Sequence, residues 1–333
     1  GDQRSAHSWD SGVKLGEVRA LTADEWRALL EQSPQNTVFL NPEFLALFGV
    51  EVRFWGLERK GVVIAGLPVI EAQALGSRFL PWCYYQGIVL HREVWRAARA
   101  KRTQYEIEIL EELATSVAEV EPRFHLSLHP SLMDVRGLDW VHYHTPDRPR
   151  VQLAPRYTAV QSTSSETSES LRKAARSARR QEEGYAQSRE GLTLSQDGTL
   201  DELVGLLRDT FDRQNTGMSE TEARLMPVYA SYLLAEAHGA FLTVRNAEGA
   251  AVAMALTFAD VDGTIHVPIV GTGNTRFGGT LLYFAILDHA LSTGAPAVDF
   301  NGANSPSRAY FKHSIGARPV LFFEASYDAV NGK

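Results

Sequence analysis

Near the end of the chain a lysine follows two aromatic residues, in Ser307-Arg308-Ala309-Tyr310-Phe311-Lys312-His313-Ser314-Ile315-Gly316. The segment reads as a short helix just past a strand end. An ammonium fixed beside a carbonyl under attack stabilises the negative oxygen that forms there, as any oxyanion-hole donor does. The same group can hold a phosphate. The competing reading is a surface lysine on a helix whose Tyr310 and Phe311 are core. Just upstream, Asp299-Phe300-Asn301-Gly302-Ala303-Asn304 lies at the carboxyl end of a predicted strand, the edge where open α/β sheets bind ligands. Gly302 permits close backbone approach. Asp299 is a candidate base or amine-binding group, and Asn301, Asn304 and Tyr310 are candidate substrate contacts. A plain Asn-Gly turn is the alternative.

Three further stretches carry charge in a pattern. Leu171 to Arg180 holds five basic residues in ten. Helical spacing groups Arg172, Arg176 and Arg179 or Arg180 on one face, with Lys173 beside them, a local positive stripe suited to phosphates. A solvated face paired with Glu182 and Glu183 is the plainer account. Arg213, in Thr210 to Gly217, carries a guanidinium fork of the kind that pairs with a carboxylate or phosphate. Gly271 to Thr280 is glycine-rich, carries Arg276, Gly278 and Gly279, and precedes a predicted helix, whose N-terminal N–H groups attract anions. Cys83 sits in an apolar run and reads as a buried structural thiol rather than a nucleophile. His142 and His144 have no evident third ligand, so no metal site is expected.

Composition bounds the rest. The chain has 333 residues, 44% hydrophobic and 22% charged, ordinary values for globular domains and enough for about two of them. The net charge of −7 argues against a general or sequence-specific nucleic-acid binder. One cysteine rules out an internal disulfide and fits a reducing cytoplasm. No apolar run approaches the roughly 20 residues of a membrane span. The polar start, Gly1 to Ser11, lacks a signal-peptide core, and Gly1 reads as a cloning remnant.

The elements that must position these residues fall into two similar series. In the first, Thr22 and Glu25 form a capping box before a helix to about Glu31, and Asn41-Pro42-Glu43 opens a second. Val52–Leu57 and Val62–Ala72 form a hairpin turning at Arg59-Lys60-Gly61. Tyr105–Val120 is an amphipathic helix, and Phe124–Leu128 and Trp140–His144 are strands. In the second, Asp201–Gln214 and Thr221–Ala237 are helices. Ala240–Arg245 and Ala250–Ala259 form a hairpin, Thr264–Val270 is a strand, Gly279–Ser292 a helix, and Ala297–Phe300 and Val320–Tyr327 are strands. Pro146, Pro149 and Pro155, followed by the Ser/Thr/Glu-rich Gln161–Ser170, read as the join, either a solvated linker or a loop beside the site. Mixed strands with interposed helices, used twice, define an α/β (α+β) fold.

The segment from Asp299 to Pro319, the repeated element order, Thr37–Phe44, Leu80–Gly87, Thr210–Gly217 and the basic run closed by Gly184 together resemble the Fem-like aminoacyl and acyl transferases, a branch of the GNAT superfamily. The resemblance implies two tandem GNAT-like domains with mixed central sheets and flanking helices. The first would span 1–155, completed by the C-terminal strand 319–333. The second, 156–318, would carry the active site. It implies N-acyl transfer that forms an amide on an amine acceptor, such as a cell-envelope precursor, a polysaccharide amino sugar or a small-molecule amine. Lys312, Phe311 and Asp299 would be the catalytic group. Arg176, Lys173, Arg179, Arg213, Asn301, Gly302, Asn304 and Tyr310 would bind substrate. Arg276, Gly278 and Gly279 stand where acetyltransferases bind the CoA pyrophosphate, but out of register with that motif. The donor is therefore aminoacyl-tRNA or acyl-CoA, with no prosthetic group or metal. A non-catalytic binding or scaffold module that keeps the fold is the alternative.

Overall fold

The computed structural model describes residues 14–213 and 217–331, with the side chain of Arg213 also left out. The chain opens with β1 (Glu17–Leu21), α1 (Ala23–Glu31) and α2 (Pro42–Ala46). The capping box at Thr22 and Glu25 forms as expected, and Asn41 caps α2 ahead of its proline. β2 (Val52–Arg59) and β3 (Val62–Ile70) form the anticipated hairpin. Lys60 and Gly61 both have positive φ, 51° and 78°, the two-residue turn whose twist suits paired strands. β4 (Val89–Leu90) ends a four-stranded sheet of order β1-β2-β3-β4. α3 (Arg99–Val120), β5 (Arg123–Ser127), α4 (Arg136–Asp139) and β6 (Gln152–Ser162) follow.

The second series is α5 (Ser168–Ala174), α6 (Ser177–Ser188), β7 (Thr193–Ser195), α7 (Leu200–Arg213), α8 (Glu220–Glu236), β8 (Ala240–Arg245), β9 (Ala251–Ala259), β10 (Ile265–Thr272), α9 (Gly278–Thr293), β11 (Ala297–Asp299), α10 (Pro306–Ser314) and β12 (Arg318–Asp328). Its sheet has the order β5-β12-β6-β11-β10-β9-β8-β7. β10 and β11 are its parallel pair. Each series thus runs hairpin, strand, helix, strand: β2-β3-β4-α3-β5 and β8-β9-β10-α9-β11. β12 lies between β5 and β6, pairing with both, so the last strand ties the first series to the second.

Three apolar cores hold this together. One surrounds α3 and takes in Ala325 and Tyr327 of β12. Another surrounds α9. The third joins the two series: Trp26, Phe39, Phe44 and Phe48 pack with Leu203, Tyr229, Phe258 and Ile269. Phe39, Phe44 and Phe48 are therefore buried against the second series, edge-on to Phe258 and Tyr229.

The structure corrects four expectations. Trp140–His144 is not a strand. α4 ends in stacked turns there, Tyr143 donating to the Trp140 carbonyl and Thr145 to that of His142, while the His142 ring is held by the Pro149 carbonyl at 2.8 Å. β-Rich composition fits a pleated, half-buried surface, and here the segment packs its His142 ring edge-on against Tyr327 of the sheet instead of pairing with a strand. The proline-marked join is only partly a linker: β6 runs through Pro155 to Ser162, and residues 163–167 turn into α5. The N–H of Tyr157 points to Asn304, so the Pro155 nitrogen, two residues back on the same edge, faces the open side of the strand, where no donor is required. β1 and β7 are short strands absent from the sequence reading. Finally, the basic run is not one helix. The backbone is extended at Ala175 and Arg176, ψ 157° and 143°, and the Arg176 N–H donates to the Ser314 carbonyl.

Candidate active site at the sheet opening

β10 and β11 pair only through Ile265 with Val298 and His266 with Asp299. β10 then bulges between His266 and Ile269, around Pro268. A wedge opens between the rest of β10 and the segment 299–304. That segment turns at Asn301 and Gly302, both with positive φ, 51° and 77°.

The turn is held from three sides. Asp299, at the end of β11, accepts hydrogen bonds from the Tyr85 hydroxyl (2.6 Å), the Thr158 hydroxyl (2.5 Å) and the Asn301 N–H (2.9 Å). The Asn301 side chain accepts from the Val267 N–H at 2.9 Å and meets His266 Nδ1 at 2.8 Å. His266 Nε2 lies 3.0 Å from Asp260, and both are buried. Asp260 in turn accepts from the Val38 N–H at 2.8 Å. Because Asn301 Oδ1 takes the Val267 proton, its Nδ2 donates to His266, which makes Nδ1 the acceptor and places the imidazole proton on Nε2 toward Asp260. Burial pushes the His266 pKa down and the Asp260 carboxylate more than offsets it; a proton on Nδ1 would confront the Asn301 donor.

Lys312 closes the third side. It is buried, and its Nζ donates to the carbonyls of Phe300 (2.8 Å), Asn301 (3.0 Å) and Gly302 (2.5 Å). An ammonium has three N–H bonds, and all three are used. Burial lowers its pKa to about 8, with Asp299 opposing and Arg308 assisting. The expected surface-lysine alternative fails: Lys312 is inside, and Tyr310 is 74% exposed. Phe311 packs edge-on to Tyr283 at 4.9 Å and carries the Arg179 guanidinium over its ring at 4.6 Å.

Other candidates are placed elsewhere. Asn304 brackets Tyr157, accepting from its N–H and donating to its carbonyl, so its amide is used in extending the β6 edge. Arg172 pairs with Glu183 and Asp288 and lies over Phe284. Arg179 bonds Ser314 and Glu182. Arg180 caps the carbonyls of Arg172, Lys173 and Ala175, and Lys173 pairs with Glu169 on the surface. The stripe is thus largely consumed in joining α5 and α6 to α9 and α10; Arg176 is exposed. Arg276 is exposed and stacks on Phe277, whose φ of 67° starts α9 with Gly278 and Gly279 in its first turn. Arg213 ends α7, and its side chain and residues 214–216 lie outside the described residues. Cys83 is raised well above an ordinary thiol by burial.

Thr158, His266 and Asp260 carry no motif. Tyr85 falls in Leu80–Gly87, which carries the resemblance, but nothing in the sequence links it to Asp299, 214 positions away. The tyrosine pair beside Cys83 and the buried Asp–His alternation across the β9–β10 hairpin were the only traces.

Residues 166–313 match the family model described as an acetyltransferase (GNAT) domain, and this part of the chain is a GNAT domain. Across its length the chain shares the fold of FemX, with a TM-score of 0.61 at 12% identity, covering 92% of this chain and 96% of that one. L-PGS from Bacillus licheniformis superposes with a TM-score of 0.51 at 13% identity over 95% and 94%. A GNAT-family acetyltransferase from Colwellia psychrerythraea does so with 0.50 at 10% identity over 93% and 98%. The fold of the chain is therefore shared with these three proteins. No curated protein matches the sequence. No described helix is long and apolar enough to cross a membrane.

Proposed function

We propose that this chain is an N-acyltransferase that forms an amide on an amine acceptor at the wedge between β10 and β11. The observation that carries the reading is the fully pinned turn 299–302 on one wall of that wedge, within a GNAT domain. An amine nitrogen attacks the acyl carbonyl carbon, the bond from that carbon to the donor oxygen or sulfur breaks, and the amine proton ends on the leaving atom. Preorganised dipoles at the developing oxyanion accelerate such a step. On the opposite wall, Gly273 donates to the Val252 carbonyl, and alternation along an antiparallel ladder turns the Val270 N–H away from β9 and into the wedge. That N–H is our candidate oxyanion donor.

Lys312 and Asp299 serve this reading as positioning groups. Lys312 donates all its hydrogen bonds to the turn, Asp299 ties the turn to Tyr85 and Thr158, and the ammonium adds positive potential behind it. The division into 1–155 with 319–333 and 156–318 belongs to the same proposal. The pairing of β12 with β5 supports it, and the continuity of β6 across residue 155 puts the join inside a strand.

The donor is aminoacyl-tRNA or acyl-CoA. The test is incubation of the purified chain with acetyl-CoA or charged tRNA and a panel of primary amines, read by mass spectrometry. A new amide from one donor class is expected. Donors that survive intact, with no amide in any combination, would sink the reading.

A further inference from the structure

One cation beside the wedge is unaccounted for. Arg308 lies one helical turn before Lys312 on α10, so the two share a face. Unlike Lys312 it is exposed, and among the described residues it makes no hydrogen bond or ion pair. Two tyrosines flank the same turn. Tyr84, from the first series, lies against Gly302, where a Cβ would sit 3.9 Å from its ring. Tyr283, on α9, stacks on Phe300 with ring centroids 5.1 Å apart. Both side chains are largely enclosed, yet neither hydroxyl is among the buried polar atoms lacking a partner, and neither bonds to a described residue. Their oxygens therefore reach accessible space. Tyr84 feels Asp299, Arg308 and Tyr283 electrostatically, and burial with the nearby carboxylate raises its pKa. Tyr283 is likewise raised, to about 12, by burial. Both phenols are thus kept as neutral O–H donors.

We propose that Arg308, Tyr84 and Tyr283 form a recognition site for a singly charged oxyanion, a carboxylate or phosphodiester carried by the donor or acceptor. Lys312 is committed to the turn carbonyls, with Asp299 behind it. Arg308 is left as the unneutralised charge facing outward. A planar guanidinium presents a fork to two oxygens of such a group, and two phenols add donors from either side. The site rests on the acyl-transfer reading only for the identity of the molecule that carries the anion. It also gives the first series a direct share in binding, through Tyr84.

The test uses the full chain and simple probes. Arginine side-chain NMR signals are followed while sodium acetate, dimethyl phosphate or CoA is titrated to millimolar concentration, with Arg308→Gln and the Tyr84→Phe, Tyr283→Phe double variant in parallel. We expect a saturable shift of the Arg308 Nε–H signal with acetate or dimethyl phosphate, at least tenfold weaker binding in the double variant, and none in Arg308→Gln. Preference for acetate identifies a carboxylate ligand, and preference for dimethyl phosphate or CoA a phosphate. Binding unchanged in Arg308→Gln, or no shift of Arg308 with any probe, overturns the site. Amide formation in the donor assay with unaltered KM in Arg308→Gln keeps the reaction and removes the site. Anion binding at Arg308 without amide formation keeps the site and removes the reaction.

Discussion

Replacing Lys312 with methionine separates a positioning lysine from one held free for substrate. The side chain fits by volume, and the change removes one buried charge and three hydrogen bonds. Two opposing terms set the sign. A pKa lowered from 10.5 to about 8 corresponds to roughly 3 kcal/mol of unfavourable burial, which methionine relieves. Against this, each carbonyl left without a partner costs about 1–3 kcal/mol, and three are affected together. The carbonyl term is the larger over most of that range, so we expect Lys312→Met to be less stable by ~2–4 kcal/mol, in line with other broken buried charge networks. Urea unfolding followed by circular dichroism checks this: the midpoint should fall while the slope stays constant. A lysine kept for transition-state contact alone would behave in the opposite way, because removing it relieves burial and leaves nothing unpaired. Lys312→Met at or above the stability of the parent would refute the positioning role.

The same lysine fixes a pH dependence. Its folded pKa, about 8, lies below the unfolded value of 10.5, so between these limits the unfolded chain binds the extra proton and stability rises with pH. Relative to Lys312→Met, the parent should gain up to ~3 kcal/mol across that window and show a flat difference below pH 8; a difference that shrinks as pH rises would contradict the lowered pKa. His266→Phe takes the ring N–H from buried Asp260 and leaves it the Val38 and Val261 N–H groups. We expect a loss of about 1–3 kcal/mol, partly restored by adding Asp260→Asn, and thermal melts of both variants measure it. In the basic run, Arg172→Ala should cost about 1–3 kcal/mol, since two carboxylates and the Phe284 ring lose their partner. Lys173→Ala, with its side chain 74% exposed, should stay within ~0.5 kcal/mol. Equal melting losses for the two would mean the run is a uniform surface stripe.

Local chemistry was legible where the chain itself dictates it. The capping box at Thr22 and Glu25, the Asn41-Pro42 helix start and the Lys60-Gly61 turn depend on neighbours three residues apart or fewer. The repeated hairpin-strand-helix-strand order follows from periodicity, which survives without sequence identity between the halves. The segment from Asp299 to Lys312 stands out for a lysine directly after two aromatics past a strand end and for its resemblance to the Fem-like transferases; in the structure it forms one wall of the wedge.

What the tertiary structure decided is which contacts those residues make. Lys312 is a common residue on a short helix, and only the left-handed turn at Asn301 and Gly302 aims three carbonyls at it. The basic run spaces its charges as a stripe on an ideal helix, but the Ser314 carbonyl and the Arg180 cap break that helix in two. Pro155 and the polar residues around it read as a linker until β12 on one side supplies a strand to pair with. Tyr85, Thr158, His266 and Asp260 come to Asp299 and Asn301 from four separate elements or loops, and Arg308 and Tyr84 are distinguished only by standing beside that turn. Sequence spacing encodes neighbours within a helix or strand. Partners across a sheet or between two packed halves are set by burial and by the accounting of every buried donor and acceptor, which exists only once the chain has folded.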